Sequence, residues 1–182
     1  AVVAFGDRDL AFRLQRVFAT NTYRVYTNHD VVGSEVAAAL KNVVAIASGI
    51  VDGLGAGDNT RAAIMTRGLE EVARLGVALG GERPTFAGLA GMGDLLATCV
   101  SRRSRNRYVG EQIGRGRTVE DVVAEMQMVA EGVKTSMVVV ELAAEHGVDM
   151  PISEQVYAVA HHGRTALESY EGLLRRSARP EF

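Results

Sequence analysis

The sequence predicts a mainly α-helical protein that opens with a short α/β unit. The run Val36–Val51 consists mostly of Ala, Val, Leu and Ile, so a helix formed from it is apolar on every side, like a helix at the centre of a core. The composition has few aromatic residues, no Trp and many small residues, which favours closely packed helices. Strand-like patterning is confined to residues 1–30.

Residues 1–30 have the pattern strand, helix, strand. Ala1–Phe5 is short, apolar and β-prone, Leu10–Phe18 has the spacing of an amphipathic helix, and Tyr23–Thr27 alternates as a strand does. A sheet of two short strands cannot bury both of its faces, so we expect this unit to be the end of a larger α/β domain that lies upstream. The predicted division is this remnant at 1–30 and a helical domain at 31–182.

From residue 31 onward the pattern is helical, interrupted by glycine, proline and capping residues. Asp58 or Asn59 is expected to cap the second helix, and Ser104 and Thr118 to cap later ones, because these side chains accept backbone N–H groups left without a partner at a helix start. About eight helices are predicted: Val36–Val51, one over Ala62–Leu79 ended by Gly80, Gly81 and Pro84, a short one starting at Asp94, Arg105–Gly114, one after Thr118, Gly132–Glu145, one opening at Pro151 and one at Thr165.

Charge and composition exclude several classes of protein. The formal net charge is −2, so nothing draws the whole chain to nucleic acid or an anionic membrane, and any anion site has to be local. The single cysteine, Cys99, cannot form an internal disulfide and suits a reducing compartment. Since no signal-peptide pattern precedes the first polar residues, we expect a cytoplasmic protein. The longest apolar stretch, Val43–Val51, is far shorter than the roughly 20 residues of a membrane span.

Lys41 and Asn42 interrupt the apolar run. The chain contains only two lysines, Lys41 and Lys134, against eighteen arginines, and lysine differs from arginine in losing its proton near neutral pH when desolvated. An ammonium group removed from water needs a carboxylate partner or a lowered pKa, which makes Lys41 a candidate catalytic residue. The alternative is that its long side chain reaches past small neighbours to the surface, and spacing alone does not decide between the two.

The segment Ser101–Arg107 (SRRSRNR) is the strongest candidate for an anion site. With Ser104 as the cap, Arg105 and Asn106 fall in the first helical turn, beside backbone N–H groups that can receive a phosphate. The alternative is an ordinary solvated surface segment.

Asp94 and Thr98 are candidates on a neighbouring helix. Asp94 follows an apolar run, so it is either a helix cap or the carboxylate that Lys41 requires, and nothing local decides between these roles. Thr98 lies four residues later on the same helical face and can share the site.

Two other patterns are weaker. The glycines at 53–57 and 88–93 follow no predicted strand and do not match a dinucleotide fingerprint, so we assign them to close backbone approaches. His161 and His162 are adjacent, so on a helix they point apart, and no further ligand spacing is visible; we predict no metal site.

In combination, the segments ALKNVVAIASGIVDGLGAGDNTRAA, GMGDLLATC, SRN and EG closely resemble the C-terminal half of NAD(P)-dependent glycerol-3-phosphate dehydrogenase. The resemblance covers essentially the whole chain. It implies a two-domain enzyme with an N-terminal Rossmann domain for NAD or NADP and a helical substrate domain of the 6-phosphogluconate dehydrogenase-like type. It also implies interconversion of dihydroxyacetone phosphate and sn-glycerol 3-phosphate, a precursor of glycerophospholipids.

The resemblance further implies roles for single residues, which stand in the matching motifs. Lys41 corresponds to the proton donor and acceptor at the substrate's C2 oxygen, with Asn42, Asp94 and Thr98 in the substrate site. The positions that hold the phosphate are Ser104, Arg105 and Asn106, and those that touch the cofactor are Arg105, Val129 and Glu131.

The glycine fingerprint and the family's second active-site lysine would lie upstream of Ala1, so this chain is not expected to turn over by itself. Two rival interpretations remain open. One is the helical domain of a β-hydroxy acid or ketopantoate-type dehydrogenase, whose substrates bear carboxylates. The other is a non-catalytic assembly module whose apolar helices pair with another subunit. The oligomeric state is open, and a homodimer is allowed.

Overall fold

A computed structural model describes residues 1–126 and 130–175. Its helical part comprises α2 (Val31–Leu54), α3 (Asp58–Ala78), α4 (Arg83–Ala87), a π-helical turn (Leu89–Gly93), α5 (Asp94–Val100), α6 (Arg105–Gly114), α7 (Val119–Glu125), α8 (Glu131–His146), α9 (Pro151–His161) and α10 (Ala166–Leu174). These follow β1 (Val2–Ala4), α1 (Arg8–Phe18) and β2 (Tyr26–Asn28). The predicted fold class is confirmed.

The opening unit is a parallel strand pair joined by a helix. β1 and β2 pair in register from Val2 with Tyr26 to Ala4 with Asn28, and α1 forms the crossover. The predicted start of the second strand, Tyr23, is wrong by three residues. Tyr23 belongs to a turn instead, in which the N–H of Thr20 donates to the carbonyl of Tyr23 at 3.0 Å.

All eight predicted helices are present, but some boundaries and caps differ. The N-cap of α3 is Gly57, not Asp58 or Asn59, and Asp58 is the first helical residue. Pro84, predicted as a helix terminator, lies in the first turn of α4, where a missing N–H costs nothing. The glycine-rich residues before Asp94 form the π-helical turn.

Helix α2 is the centre of the fold. Its residues from Val43 to Val51 are all buried, as its uniformly apolar sequence predicts, and α3, α5, α6, α8 and α9 pack around it. By length and composition alone α2 could cross a membrane, but most of it is buried within the protein. It therefore has the position of a core helix.

A glycine seam joins α2 to α6. Gly49 and Gly53 of α2 face Gly110 and Gly114 of α6, so the two backbones touch with no side chain between them. A Cβ atom at position 49 would collide with the carbonyl oxygen of Arg107, and one at position 110 with the carbonyl oxygen of Ile46. This close contact fixes the distance between the helix that carries Lys41 and the helix that Ser104 caps.

Glu71 is a buried carboxyl group that joins α3 to α9. Its Oε1 accepts the N–H of Ile152 at 2.7 Å, and its Oε2 accepts the N–H and the hydroxyl of Ser153 at 3.1 and 3.0 Å. Burial raises the pKa of Glu71 to about 7, against the opposing effect of these hydrogen bonds and of Arg74. A protonated Glu71 is satisfied as well, because its O–H can donate to the hydroxyl oxygen of Ser153.

This raised pKa predicts a pH-dependent stability. Between pH 4.5 and 7 the folded state holds a proton on Glu71 that the unfolded chain has lost, so the free energy of unfolding falls as pH rises. The expected loss is about 3 kcal/mol across this interval. Glu71→Gln should flatten this part of the profile. The substitution should also lower the free energy of unfolding by about 1–3 kcal/mol, since the amide N–H₂ group of the new side chain has to face the N–H of Ser153.

Urea unfolding measured from pH 4.5 to 8 checks this prediction, with Glu70→Gln as the matched control. Glu70 is the preceding residue and is partly exposed, paired with Arg83. An unchanged pH slope in Glu71→Gln would contradict the assignment.

Candidate functional site

Lys41 forms an ion pair with Asp94. The Nζ of Lys41, on α2, donates to Oδ2 of Asp94 at the start of α5. The side chain of Lys41 is 20% exposed and that of Asp94 39% exposed. The lysine is therefore neither deeply buried nor free at the surface, and it has the carboxylate partner that one of the two sequence-based interpretations required.

The local structure before Asp94 explains its orientation. The π-helical turn Leu89–Gly93 runs directly into α5, and Gly93 occupies the N-cap position. The carboxylate of Asp94 thus does not act as the helix cap and is available to Lys41.

An open cleft of about 540 Å³ lies beside this pair. It has the size of a small-molecule site. Most of the predicted site residues line it: Lys41, Asn42, Thr98, Ser104, Arg105, Asn106 and Glu131. Asp94 adjoins the cleft through Lys41, and Val129 lies outside the described residues.

The N-terminus of α6 opens onto the cleft. Ser104 is its N-cap, and its hydroxyl oxygen accepts the N–H of Arg107 at 3.2 Å. Arg105 is exposed and follows the cap directly. A cation, a hydroxyl group and the positive end of a helix are therefore gathered at one side of the cleft.

Two of the predicted polar residues also hold the site together. The side-chain oxygen of Asn106, which is 8% exposed, accepts the N–H of Gly132 at 2.9 Å and so ties α6 to the start of α8. The hydroxyl of Thr98 donates to the carbonyl of Asp94 at 2.6 Å. Asn106 can still donate through its amide nitrogen, and Thr98 can still accept through its oxygen.

The cleft also contains residues that were not singled out from the sequence. Ala38, Ala97, Ser101 and Arg103 line it, and the last two belong to the arginine-rich segment already identified as an anion-site candidate. Ala38 lies one helical turn before Lys41, a spacing that could have indicated it.

Nothing in the described part of the chain resembles a metal centre. No three His, Cys, Asp or Glu side chains converge within residues 1–126 and 130–175. His161, one of the adjacent histidines, instead contacts the carbonyl oxygen of Val133 at 2.9 Å through its Nε2.

Comparison with known proteins identifies the family. The sequence model of one protein family, the NAD-dependent glycerol-3-phosphate dehydrogenase C-terminus, matches residues 30–171. The chain belongs to this family. The resemblance stated from the sequence is confirmed, and the family match decides against the β-hydroxy acid and ketopantoate dehydrogenases.

Curated relatives in this family are longer than the chain. The glycerol-3-phosphate dehydrogenase [NAD(P)+] of Prosthecochloris aestuarii is 52% identical over 181 residues, which cover 100% of this chain and 54% of that protein. The corresponding protein 1 of Mycobacterium tuberculosis (H37Rv) is 54% identical over 174 residues, covering 96% of this chain and 51% of the relative. The chain thus spans about half the length of the curated relatives it matches.

Solved structures in the family have the same fold. Glycerol-3-phosphate dehydrogenase from Coxiella burnetii superposes with a TM-score of 0.91 at 36% identity, over 96% of this chain and 54% of that one. The enzyme from Saccharomyces cerevisiae has a TM-score of 0.80 at 30% identity, over 88% and 47% of the two chains.

Proposed function

We propose that the chain carries the substrate-binding and acid–base half of a glycerol-3-phosphate dehydrogenase. The reaction is the interconversion of dihydroxyacetone phosphate and sn-glycerol 3-phosphate with NAD(P)H, which supplies a precursor of glycerophospholipids. The observation that supports this function is the shared cleft, in which Lys41, paired with Asp94, and the N-terminus of α6 lie together.

Lys41 is the proposed general acid. When the ketone is reduced at C2, its carbonyl oxygen becomes an alkoxide, and a positioned ammonium group stabilises and protonates that oxygen. In the reverse direction the neutral amine accepts the proton of the C2 hydroxyl. Asp94 keeps the lysine oriented through their ion pair. The bound nicotinamide would deliver or accept the hydride at C2.

The phosphate is the proposed ligand of the α6 N-terminus. Arg105 supplies a fork of N–H donors and Ser104 a hydroxyl, while Asn106 donates through its amide nitrogen. Anchoring the phosphate there leaves the three-carbon chain to extend towards Lys41, which fixes C2 for reaction. Asn42 and Thr98 are then the side chains available to the remaining oxygen atoms of the substrate.

The cofactor, NAD or NADP, would be held mainly by residues outside this chain. Helix α1 follows β1, and its N-cap residue is Asp7. The carboxylate of Asp7 already accepts backbone N–H groups at the start of α1, so these groups are not available to the pyrophosphate of a cofactor. From this side of the cleft, we propose that Arg105, Val129 and Glu131 contact the cofactor.

The proposal extends to domain organisation and location. We propose that residues 1–30 end a Rossmann-type domain and that residues 31–182 form the substrate domain. The free, buried Cys99 suits a reducing compartment, in agreement with a cytoplasmic location. The oligomeric state stays open, and a homodimer is allowed.

Arg105→Ala tests the anion site. Removing a charge-assisted contact to a phosphate should weaken the binding of glycerol 3-phosphate about 10- to 100-fold. Isothermal titration calorimetry measures this change. Arg102→Ala is the matched control, because Arg102 lies in the same segment and is exposed but does not line the cleft.

Equal affinity of the Arg105 and Arg102 variants would remove Arg105 from the site. A well-folded protein that binds no glycerol 3-phosphate would favour the assembly-module interpretation instead.

A further inference from the structure

Arg107 stands in the arginine-rich segment but does not line the cleft. Its Nε and Nη2 atoms donate to Oδ2 of Asp52 at 2.9 and 2.7 Å, and its Nη1 lies 3.2 Å from Oε2 of Glu111. The carboxylates of the protein therefore engage all three guanidinium nitrogens. Arg107 has the geometry of a bridge between helices rather than of an anion ligand.

Asp52 is the other half of this bridge and lies near the end of α2. Its second oxygen, Oδ1, accepts from Nη1 of Arg61 at 3.1 Å, so Asp52 joins the starts of α3 and α6 to the last turns of α2. The side chains of Arg107 and Asp52 are only 14% and 15% exposed. Solvent therefore screens this ion pair less than an exposed one, and removing either partner leaves a poorly hydrated charge.

The glycine seam does not by itself fix the position of α6 along α2. Backbones that touch through glycines have a fixed separation, but they lack the interlocking side chains that oppose sliding of one helix along the other. Arg107 lies in the first turn of α6, and its own N–H donates to the capping hydroxyl of Ser104 at 3.2 Å. Its pairing with Asp52 thus fixes the end of α6 that opens onto the cleft.

We propose that Asp52 and Arg107 are positioning residues for the anion site. Their ion pair sets the register of α6 on α2, so that Ser104 and Arg105 are held at a fixed place relative to Lys41. Asp52 follows Lys41 by eleven residues, or about 16 Å along α2, so it acts on the site only through α6. This inference rests on the proposed function, because it takes the α6 N-terminus to be the phosphate site.

A double-mutant cycle tests the proposal on the protein, with glycerol 3-phosphate as the ligand and the dissociation constant measured by calorimetry. Asp52→Asn and Arg107→Met should each weaken binding about tenfold or more, because a displaced α6 N-terminus loses part of its charge-assisted hydrogen bonding to the phosphate. The double variant should have the same dissociation constant as the single variant that binds less tightly, because both substitutions break the same ion pair. Asparagine has the same size and shape as aspartate but no charge, so Asp52→Asn guards against a folding failure of Arg107→Met.

Arg115→Met is the matched control. Arg115 also pairs with Glu111, but at the opposite end of α6, and its loss should leave the dissociation constant unchanged. If the Asp52 and Arg107 variants unfold at lower temperature yet bind the ligand with unchanged affinity, their role is structural only and the proposal is wrong. If Arg105→Ala also has no effect, the proposed phosphate site fails as well, and this result is distinct from failure of the positioning role alone.

Discussion

Lys41→Met is expected to lower kcat roughly 10²- to 10⁴-fold. This range corresponds to about 3 to 5 kcal/mol of activation free energy, the usual contribution of a positioned general acid. The substitution is made in a form of the protein that is as long as its curated relatives. Methionine has nearly the length of lysine but has no charge and no acidic proton, so the alkoxide at C2 would lose both its stabilising charge and its proton donor. The proposed phosphate contacts on α6 are not changed by this substitution, so glycerol 3-phosphate should bind almost as well as before.

Steady-state oxidation of NADH with dihydroxyacetone phosphate measures this effect. Lys134→Met is the control, because Lys134 is the other lysine of the chain and is exposed on α8. An unchanged kcat in Lys41→Met would exclude Lys41 from the chemistry. A lower affinity for the phosphate ester with unchanged kcat would instead make Lys41 a binding residue.

Gly110→Ala is expected to destabilise the protein by roughly 2–4 kcal/mol, a large effect for one methyl group. The added Cβ collides with the carbonyl oxygen of Ile46, and because this atom belongs to the backbone of α2, the two helices have to separate. The collision outweighs the gain of about 1 kcal/mol that alanine brings to a helix interior.

Gly172→Ala is the matched control for the glycine seam. Gly172 also lies within a helix, α10, but a Cβ there comes no closer than 3.5 Å to any neighbouring atom. This variant should be neutral or slightly more stable, so the two substitutions should differ in sign. Chemical unfolding measures both, and equal effects would contradict the importance of the seam.

The sequence predicts the centre of this fold well because the signal is local. An apolar run specifies a buried helix, and Ser104 is recognised as a cap since the bond it makes spans only three residues. Boundaries were less accurate where one residue type has two roles. Pro84 can end a helix or occupy its first turn, and the contacts that decide between these come from other elements.

The candidate site was predicted residue by residue but not as an arrangement. Lys41 and Asp94 are 53 residues apart, and nothing near either of them indicates that they meet. Likewise, the spacing of Gly49 and Gly53 matches that of Gly110 and Gly114, but only the packing of α2 on α6 reveals that the pairs face each other. The four-residue spacing common to both segments was the available signal.

The pairing of Asp94 with Lys41 depends on the number of residues in the π-helical turn before Asp94, as well as on the two side chains themselves. A wide turn contains one residue more than a regular helical turn. If the segment Leu89–Gly93 were one residue shorter, Asp94 would rotate by about 100° around the helix axis and its carboxylate would leave Lys41. An insertion or deletion in this turn would therefore separate Asp94 from Lys41 even though both residues remained unchanged. Loops, in contrast, usually tolerate such changes in length.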